Sequence, residues 1–375
     1  MIDFTSALYL GLHHPSRLLQ PWQQLTLGMP AALAEPPGAA EVAQKLARLQ
    51  GCERGVLMPS TLHLFWDLFG MLCRQPVTLY LDEGTYAIAR WGMARLSARG
   101  VAIHPFRHHD ANALLTKITR QARNRKYPVV VANGFCPACG TAAPIGDYLD
   151  IVRRFDGLLV LDDTQALGVL GEAPALRRPY GLGGGGILRW SGHTGPDILV
   201  GSSLAKGLGV PVAVLTGSDR LLRRFTVASD TRVHSSPPSL AVIQAAIHAL
   251  AVNRLQGNLL RLRLAQRVGQ FRRGLAGIGW SSTGGWFPVQ TLCGITEKVA
   301  IRLHQRLAQW GVQTVLTRSR HNRAARLSFL LTARHRAEEI DQCIDMLDAL
   351  APEIEAPTNI EAPKGRPVLA CQPRG

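Results

Sequence analysis

Three short stretches of the chain carry residue types that could act together. "LLVLDDTQALG" brings Asp162 out of an apolar run, "DILVGSSLAKG" brings Ser203 and Lys206, and "GVLMPSTLHLF" brings Ser60 and Thr61 to a strand-to-helix turn. Lys206 is one of only six lysines among 42 basic residues, and it sits among Gly, Ser, Ala and Leu with no other charge nearby. Desolvation in such a setting lowers a lysine pKa towards the neutral, nucleophilic amine. A lysine at one strand end and a carboxylate at another suit pyridoxal phosphate. Lys206 would hold the cofactor as a Schiff base, and Asp162 would keep the pyridine nitrogen protonated so that the ring accepts electrons. Ser60 and Thr61, with the free N–H groups of the helix they begin, would cradle the phosphate. The small residues around Lys206 would let cofactor and substrate approach the backbone. Singly, each has an ordinary reading: a loop lysine, a turn aspartate, a plain N-cap. Their order along the chain argues for a joint role.

Strands of an open parallel sheet deliver polar residues at their carboxyl ends, so a sheet of that kind must lie beneath these stretches. From about residue 40 to 220, β-rich runs ("VTLYLD", "VAIHPF", "PVVVANG", "LLVLDD", "DILVGSS", "PVAVLTG") alternate with amphipathic segments such as "TYAIARWGMARLSARG", "ANALLTKITRQARN" and "IGDYLDIVRRFD". That alternation predicts βα units and a mostly parallel, buried sheet covered by helices. "GLGGGG" at 181–186 has no strand leading in and no helix leading out, and reads as a flexible loop, not a phosphate motif. From "PPSLAVIQAAIHAL" onwards the pattern becomes long and helical and leads into a second lobe of α+β character. The expected division is an N-terminal segment (1–40), a large domain (41–255), a small domain (256–352) and a Pro-rich tail (353–375) expected to be disordered.

Composition narrows the class. Apolar content of 46% and charged content of 18% fit a globular protein. The N-terminus opens with an acidic residue and carries no uninterrupted apolar region, so no signal peptide is read there. The most apolar stretch, "LHLFWDLFGML", is short and interrupted by Asp67, which argues against a membrane span. Seven scattered cysteines argue against a secreted disulfide framework and for a reducing cytoplasm. "CPAC" at 136–139 has the spacing of a redox motif or of half a zinc site, but no Cys or His cluster lies at a companion spacing. The expectation is two thiols in a tight loop, and no metal. The net charge of +16 invites a nucleic-acid reading. The arginines, 42 − 6 = 36 of them, are spread through helical segments and not gathered into a recognition module, so no nucleic acid is expected. An anionic thioester or an acidic carrier protein fits the charge as well.

Longer stretches resemble the α-oxoamine synthases. "LVLDDTQALGVLGE" is similar to their "VDDAHGTGVLGE", "DILVGSSLAKGLGVPVAVLTGS" to their lysine segment, "FTSALYLGL" to their "FSSNDYLGL", and "ARLSFLLTARHRAEEID" to a segment of their C-terminal lobe. The resemblance runs from about residue 4 to 350. It implies an α/β protein of the fold type I pyridoxal-phosphate transferases, like aspartate aminotransferase, with a mostly parallel seven-stranded sheet and a smaller C-terminal α+β domain. It also implies a homodimer with active sites at the interface, and condensation of an amino acid with an acyl thioester, on CoA or a carrier protein, usually with loss of CO₂.

By position, the resemblance makes Lys206 the Schiff-base lysine and Asp162 the pyridine-nitrogen partner. Arg326 matches the arginine that holds the substrate carboxylate, a task suited to a guanidinium. Tyr86 falls where the family stacks a histidine on the cofactor ring. Ser203 lies near the phosphate, and Ser235 would reach the phosphate of the other subunit's cofactor. Gln165 replaces the histidine of "DDAH" that bonds the cofactor's phenolic oxygen; it can donate a hydrogen bond but cannot titrate. Ala7 replaces the Asn of "SSNDYLG", and "TLGMPAALAEPPGAAEVAQKLA" lacks the family's Gly-rich segment and its "HxxLE". These departures touch substrate recognition and leave open another pyridoxal-phosphate reaction, such as transamination or aldol cleavage, or a scaffold that no longer catalyses.

Overall fold

A computed structural model describes residues 1–121, 126–318 and 324–351, so the tail at 353–375 lies outside the described residues. The large lobe is built on seven strands: β1 (Arg54–Met58), β2 (Val77–Asp82), β3 (Ile103–Phe106), β4 (Tyr127–Asn133), β5 (Leu158–Asp162), β6 (Ile198–Ser203) and β7 (Ala213–Gly217). Their order across the sheet is β1-β7-β6-β5-β4-β2-β3. Only β7 runs against its neighbours, pairing antiparallel with both β1 and β6, so the other six share one direction.

The apolar runs become strands because both faces of the sheet are covered. Every residue of β2 and of β5 is buried. In β4, Val129 and Val131 enter a core with Leu64, Phe65 and Leu68, whereas Val130 and Ala132 enter the opposite core with Tyr148 and Leu149. That alternation is the two-residue period of a strand. The helices Thr61–Leu72 and Ala87–Ser97 supply the first face, and Ile145–Arg154 supplies part of the second.

A single helix, Leu240–Gly277, runs 38 residues and is capped by Ser239 Oγ accepting from Val242 N. The expected boundary at 255/256 falls inside it. Beyond it, β8 (Ser282–Thr283), β9 (Val289–Leu292), β10 (Val315–Arg318) and β11 (Ala325–Leu330) form an antiparallel sheet ordered β8-β9-β11-β10. The N-terminal segment attaches to this small lobe, since Ile2–Asp3 pairs parallel with Val312–Gln313.

One expectation is corrected here. The run 181–186 is not a flexible loop: Leu182 pairs with Glu172 and Gly185 with Leu167. Gly184 has φ +72°, and a Cβ on it would lie 2.6 Å from Gly168 O and collide with the Arg261 guanidinium. Arg261 is itself buried, donating to Gly168 O and Asn253 Oδ1 at 2.8 Å and to Asn258 Oδ1 at 2.7 Å. The glycines are there because backbone and a buried guanidinium pass too close for side chains.

Candidate active site

Strand register gathers the candidate residues on one sheet edge. Asn133 is abreast of Asp162, and Asp162 of Gly201. Ser203 pairs with Ala213, which pairs with Met58. The carboxyl ends of β4, β5, β6 and β1 therefore lie along one sheet edge, with the start of β7 between the last two, and the turns leaving them carry Asp162, Gln165, Ser203, Lys206, Ser60 and Thr61.

Asp162 is 6% exposed, and its Oδ1 accepts the N–H of Thr164 at 3.0 Å. Thr164 Oγ1 in turn accepts the N–H of Ser203 at 3.0 Å, which ties the aspartate turn to the lysine turn. Lys206 is half-buried and, among the described residues, makes no hydrogen bond or ion pair. Burial pulls its pKa below the ordinary lysine value, and attraction to Asp162 offsets part of that. Burial raises the Asp162 pKa, against the hydrogen bonds of Thr164 and the attraction of Lys206.

The glycine beside the lysine has a different purpose from the one expected. A Cβ on Gly207 would run into Leu167 O and lie 3.1 Å from Gly168 Cα. Gly207 is small because the lysine turn packs directly on the turn that follows Asp162. The space it leaves is filled by protein backbone, not held for a ligand.

Gln165 Oε1 accepts a hydrogen bond from the Tyr9 hydroxyl at 2.8 Å. Ser60 caps the helix Thr61–Leu72: its Oγ accepts from His63 N and stands 2.8 Å from His63 Nδ1. Thr61 is the first residue of that helix. Ser203 Oγ accepts from Ala205 N at 3.3 Å. Tyr86 is the N-cap of Ala87–Ser97, with its ring exposed and its backbone N–H donating to Asn133 Oδ1 at 3.0 Å. Asn133 Nδ2 also donates to Gly84 O at 2.8 Å, fixing the loop that presents Tyr86.

Two expected residues are not joined to this group. Ser235 Oγ donates to Thr231 O at 2.6 Å at the end of a short helix. Arg326 lies on β11 of the small lobe, half-buried, and its guanidinium has no partner among the described residues. Ala7 packs partly buried against the core. Sequence reasoning passed over Tyr9, Thr164, Asn133 and His63. All four lie inside quoted stretches, but no spacing signals a contact such as that of Tyr9 with Gln165, across 156 residues.

A family model described as aminotransferase class I and II matches residues 2–347, and the chain belongs to that family. Among curated proteins, it is 28% identical over 251 residues to the 8-amino-7-oxononanoate synthase of Nitrosococcus oceani, covering 66% of this chain and 63% of that protein. It is 27% identical over 358 residues to that of Sodalis glossinidius, covering 92% of this chain and 87% of the relative. The chain thus spans less than two thirds of the first relative and most of the second. Its fold is similar to that of a serine palmitoyltransferase from S. paucimobilis with bound PLP–myriocin aldimine, at a TM-score of 0.80 and 17% identity over 94% of this chain and 87% of that one. The expected fold, that of the fold type I pyridoxal-phosphate transferases with a mostly parallel seven-stranded sheet, is borne out, and the curated relatives are in keeping with the resemblance drawn from the sequence.

Proposed function

We propose that the chain is an acyltransferase that uses pyridoxal phosphate to condense an amino acid with an acyl thioester, with loss of the amino acid's carboxylate as CO₂. The observation that carries this reading is Lys206, desolvated and, among the described residues, without a hydrogen-bond partner, beside the buried carboxylate of Asp162. The residues fit the cofactor. Lys206 would hold it, Asp162 would hold a proton at its ring nitrogen, and Ser60, Thr61 and Ser203 would surround its phosphate at the start of the helix Thr61–Leu72. When bound, the cofactor supplies an electron sink for negative charge at the substrate Cα.

The chain's own groups do the rest. As a neutral amine, Lys206 would take and return the proton at the substrate Cα. Gln165, with its oxygen engaged by Tyr9, would turn its NH₂ towards the cofactor's phenolic oxygen. Tyr86 would lie against the ring, and Arg326 would orient the substrate carboxylate.

A homodimer is part of the proposal, with Ser235 facing the other subunit's site. Exposed Leu62, Trp66 and Trp91 on the helices Thr61–Leu72 and Ala87–Ser97 support a surface covered by a second copy. The net charge of +16 suits an anionic acyl donor, CoA-linked or on a carrier protein. No helix among the described residues is long and apolar enough to cross a membrane, and the six described cysteines are free, as suits a cytoplasmic protein.

The test is incubation of the loaded protein with amino acids and acyl thioesters. Release of free thiol together with CO₂ is expected. Formation of a keto acid without thiol release would replace the reading with transamination.

A further inference from the structure

Beside the loop that presents Tyr86, we infer a zinc site formed by His108, His109 and Cys139. The donor atoms of these three side chains lie within 4.8 Å of one another. His108 and His109 follow β3, and Cys139 belongs to the turn between Phe135–Cys136 and Thr141–Ala142. About thirty residues separate the histidines from the cysteine, which is why the "CPAC" stretch read as half a site without a companion.

Each imidazole is prepared differently. His108 Nδ1 is 2.6 Å from Asp82 Oδ1, which fixes the ring and leaves Nε2 to face Cys139 Sγ at 3.5 Å. A tetrahedral zinc with bonds of about 2.0–2.1 Å to nitrogen and about 2.3 Å to sulfur sets its N and S ligands roughly 3.5 Å apart. A carboxylate behind a ligating imidazole is the arrangement that orients zinc-bound histidines. Asp82 is itself held by Gly84 N, His109 N and the Tyr148 hydroxyl at 2.7, 3.0 and 3.1 Å.

His109 has φ +57°, a left-handed conformation uncommon for a residue with a side chain. Its ring centroid lies 3.7 Å from that of His108. His109 Nδ1 is 3.2 Å from Thr141 Oγ1, while its Nε2 is buried without a hydrogen-bond partner among the described residues. Thr141 Oγ1 also stands 3.0 Å from Cys139 Sγ. Two imidazoles, one of them on a left-handed backbone, and a thiol whose donor atoms converge find a common explanation in a shared cation. Two imidazoles and a thiolate suit zinc better than the harder calcium or magnesium. The ion would pin the Phe135–Ala142 hairpin to the loop that Asn133 fixes through Gly84 O and Tyr86 N.

The test uses the full-length, cofactor-loaded protein, reduced, equilibrated with zinc and passed through gel filtration. Elemental analysis should find about one zinc per chain, and cobalt substitution should give the strong visible bands of a tetrahedral site. C139S and H109Q should each lower zinc affinity at least about tenfold while keeping the cofactor's absorbance. Zinc uptake unchanged in both variants would overturn the site. So would a reduced protein that retains no zinc and instead loses two thiols to a disulfide reagent, forming a Cys136–Cys139 bridge.

Discussion

The hydroxyl of Tyr9 donates to Gln165 Oε1 at 2.8 Å, joining the N-terminal segment to the turn after Asp162. Tyr9 is 1% exposed, and its ring meets Phe287 edge-on at 5.5 Å, so the phenol has little freedom to leave. Burial pushes its pKa up, so it remains a donor. The Gln165 amide is thereby oriented with its oxygen occupied and its NH₂ left to donate elsewhere. A side chain that cannot titrate thereby acquires a fixed direction.

Tyr9→Phe keeps the ring packing and frees the amide. The variant should lose about 1 kcal/mol of stability, and the pH at which the bound cofactor's absorbance changes should move. A pH titration of the spectrum checks this. An unchanged titration curve would mean that Gln165 does not address the cofactor.

Thr164→Val is nearly isosteric but leaves the N–H of Ser203 without its acceptor. An unpaired, half-buried donor costs about 1–3 kcal/mol. Cofactor affinity should fall as well, because the lysine and aspartate turns lose their link. Thermal unfolding and equilibrium dialysis with pyridoxal phosphate measure the two effects. Stability lost without any loss of affinity would confine Thr164 to folding.

Gly207→Ala should be among the most damaging single-methyl changes in the protein. The added carbon meets backbone atoms of Leu167 and Gly168, which cannot rotate away. Overpacking of this kind costs about 1–3 kcal/mol, and the displaced turn should carry Lys206 with it. Ala205→Gly, at an exposed neighbour, is the contrasting control and should change the cofactor spectrum little.

Burial lowers the Lys206 pKa from 10.5. Between the lowered folded value and 10.5, the unfolded chain binds a proton that the folded chain does not. This residue therefore makes stability rise with pH through that window, and its stabilising effect is absent below it. In cofactor-free protein, reductive methylation at mildly alkaline pH should modify Lys206 ahead of exposed lysines such as Lys45. Asp162→Asn removes the attraction that holds the proton, so the labelling profile should shift to lower pH. A shift to higher pH would contradict the coupling.

Much of the fold was legible because it rests on local pattern. The apolar runs of β2 and β5, each ending in an aspartate, and the amphipathic Ile145–Arg154 announce a sheet covered on both faces. Asp162 and Lys206 were legible for the same reason, as polar residues at the ends of apolar runs. What stayed hidden depends on contacts between distant segments. The run at 181–186 looked flexible because glycine permits mobility, whereas here it permits close approach to Gly168 and Arg261. The glycine after Lys206 looked like room for a ligand and is room for the Leu167 carbonyl. Tyr9, and the pairing of His108 with Cys139, depend on the N-terminal segment and the Phe135–Ala142 hairpin folding back, which no periodicity encodes.

The central claim is that Lys206 holds pyridoxal phosphate beside Asp162. It is tested most directly by borohydride reduction of the cofactor-loaded protein followed by peptide mass mapping. A pyridoxyl group on Lys206, absent from Lys206→Ala, is the predicted result. No label, or a label on any of the other five lysines, would contradict it.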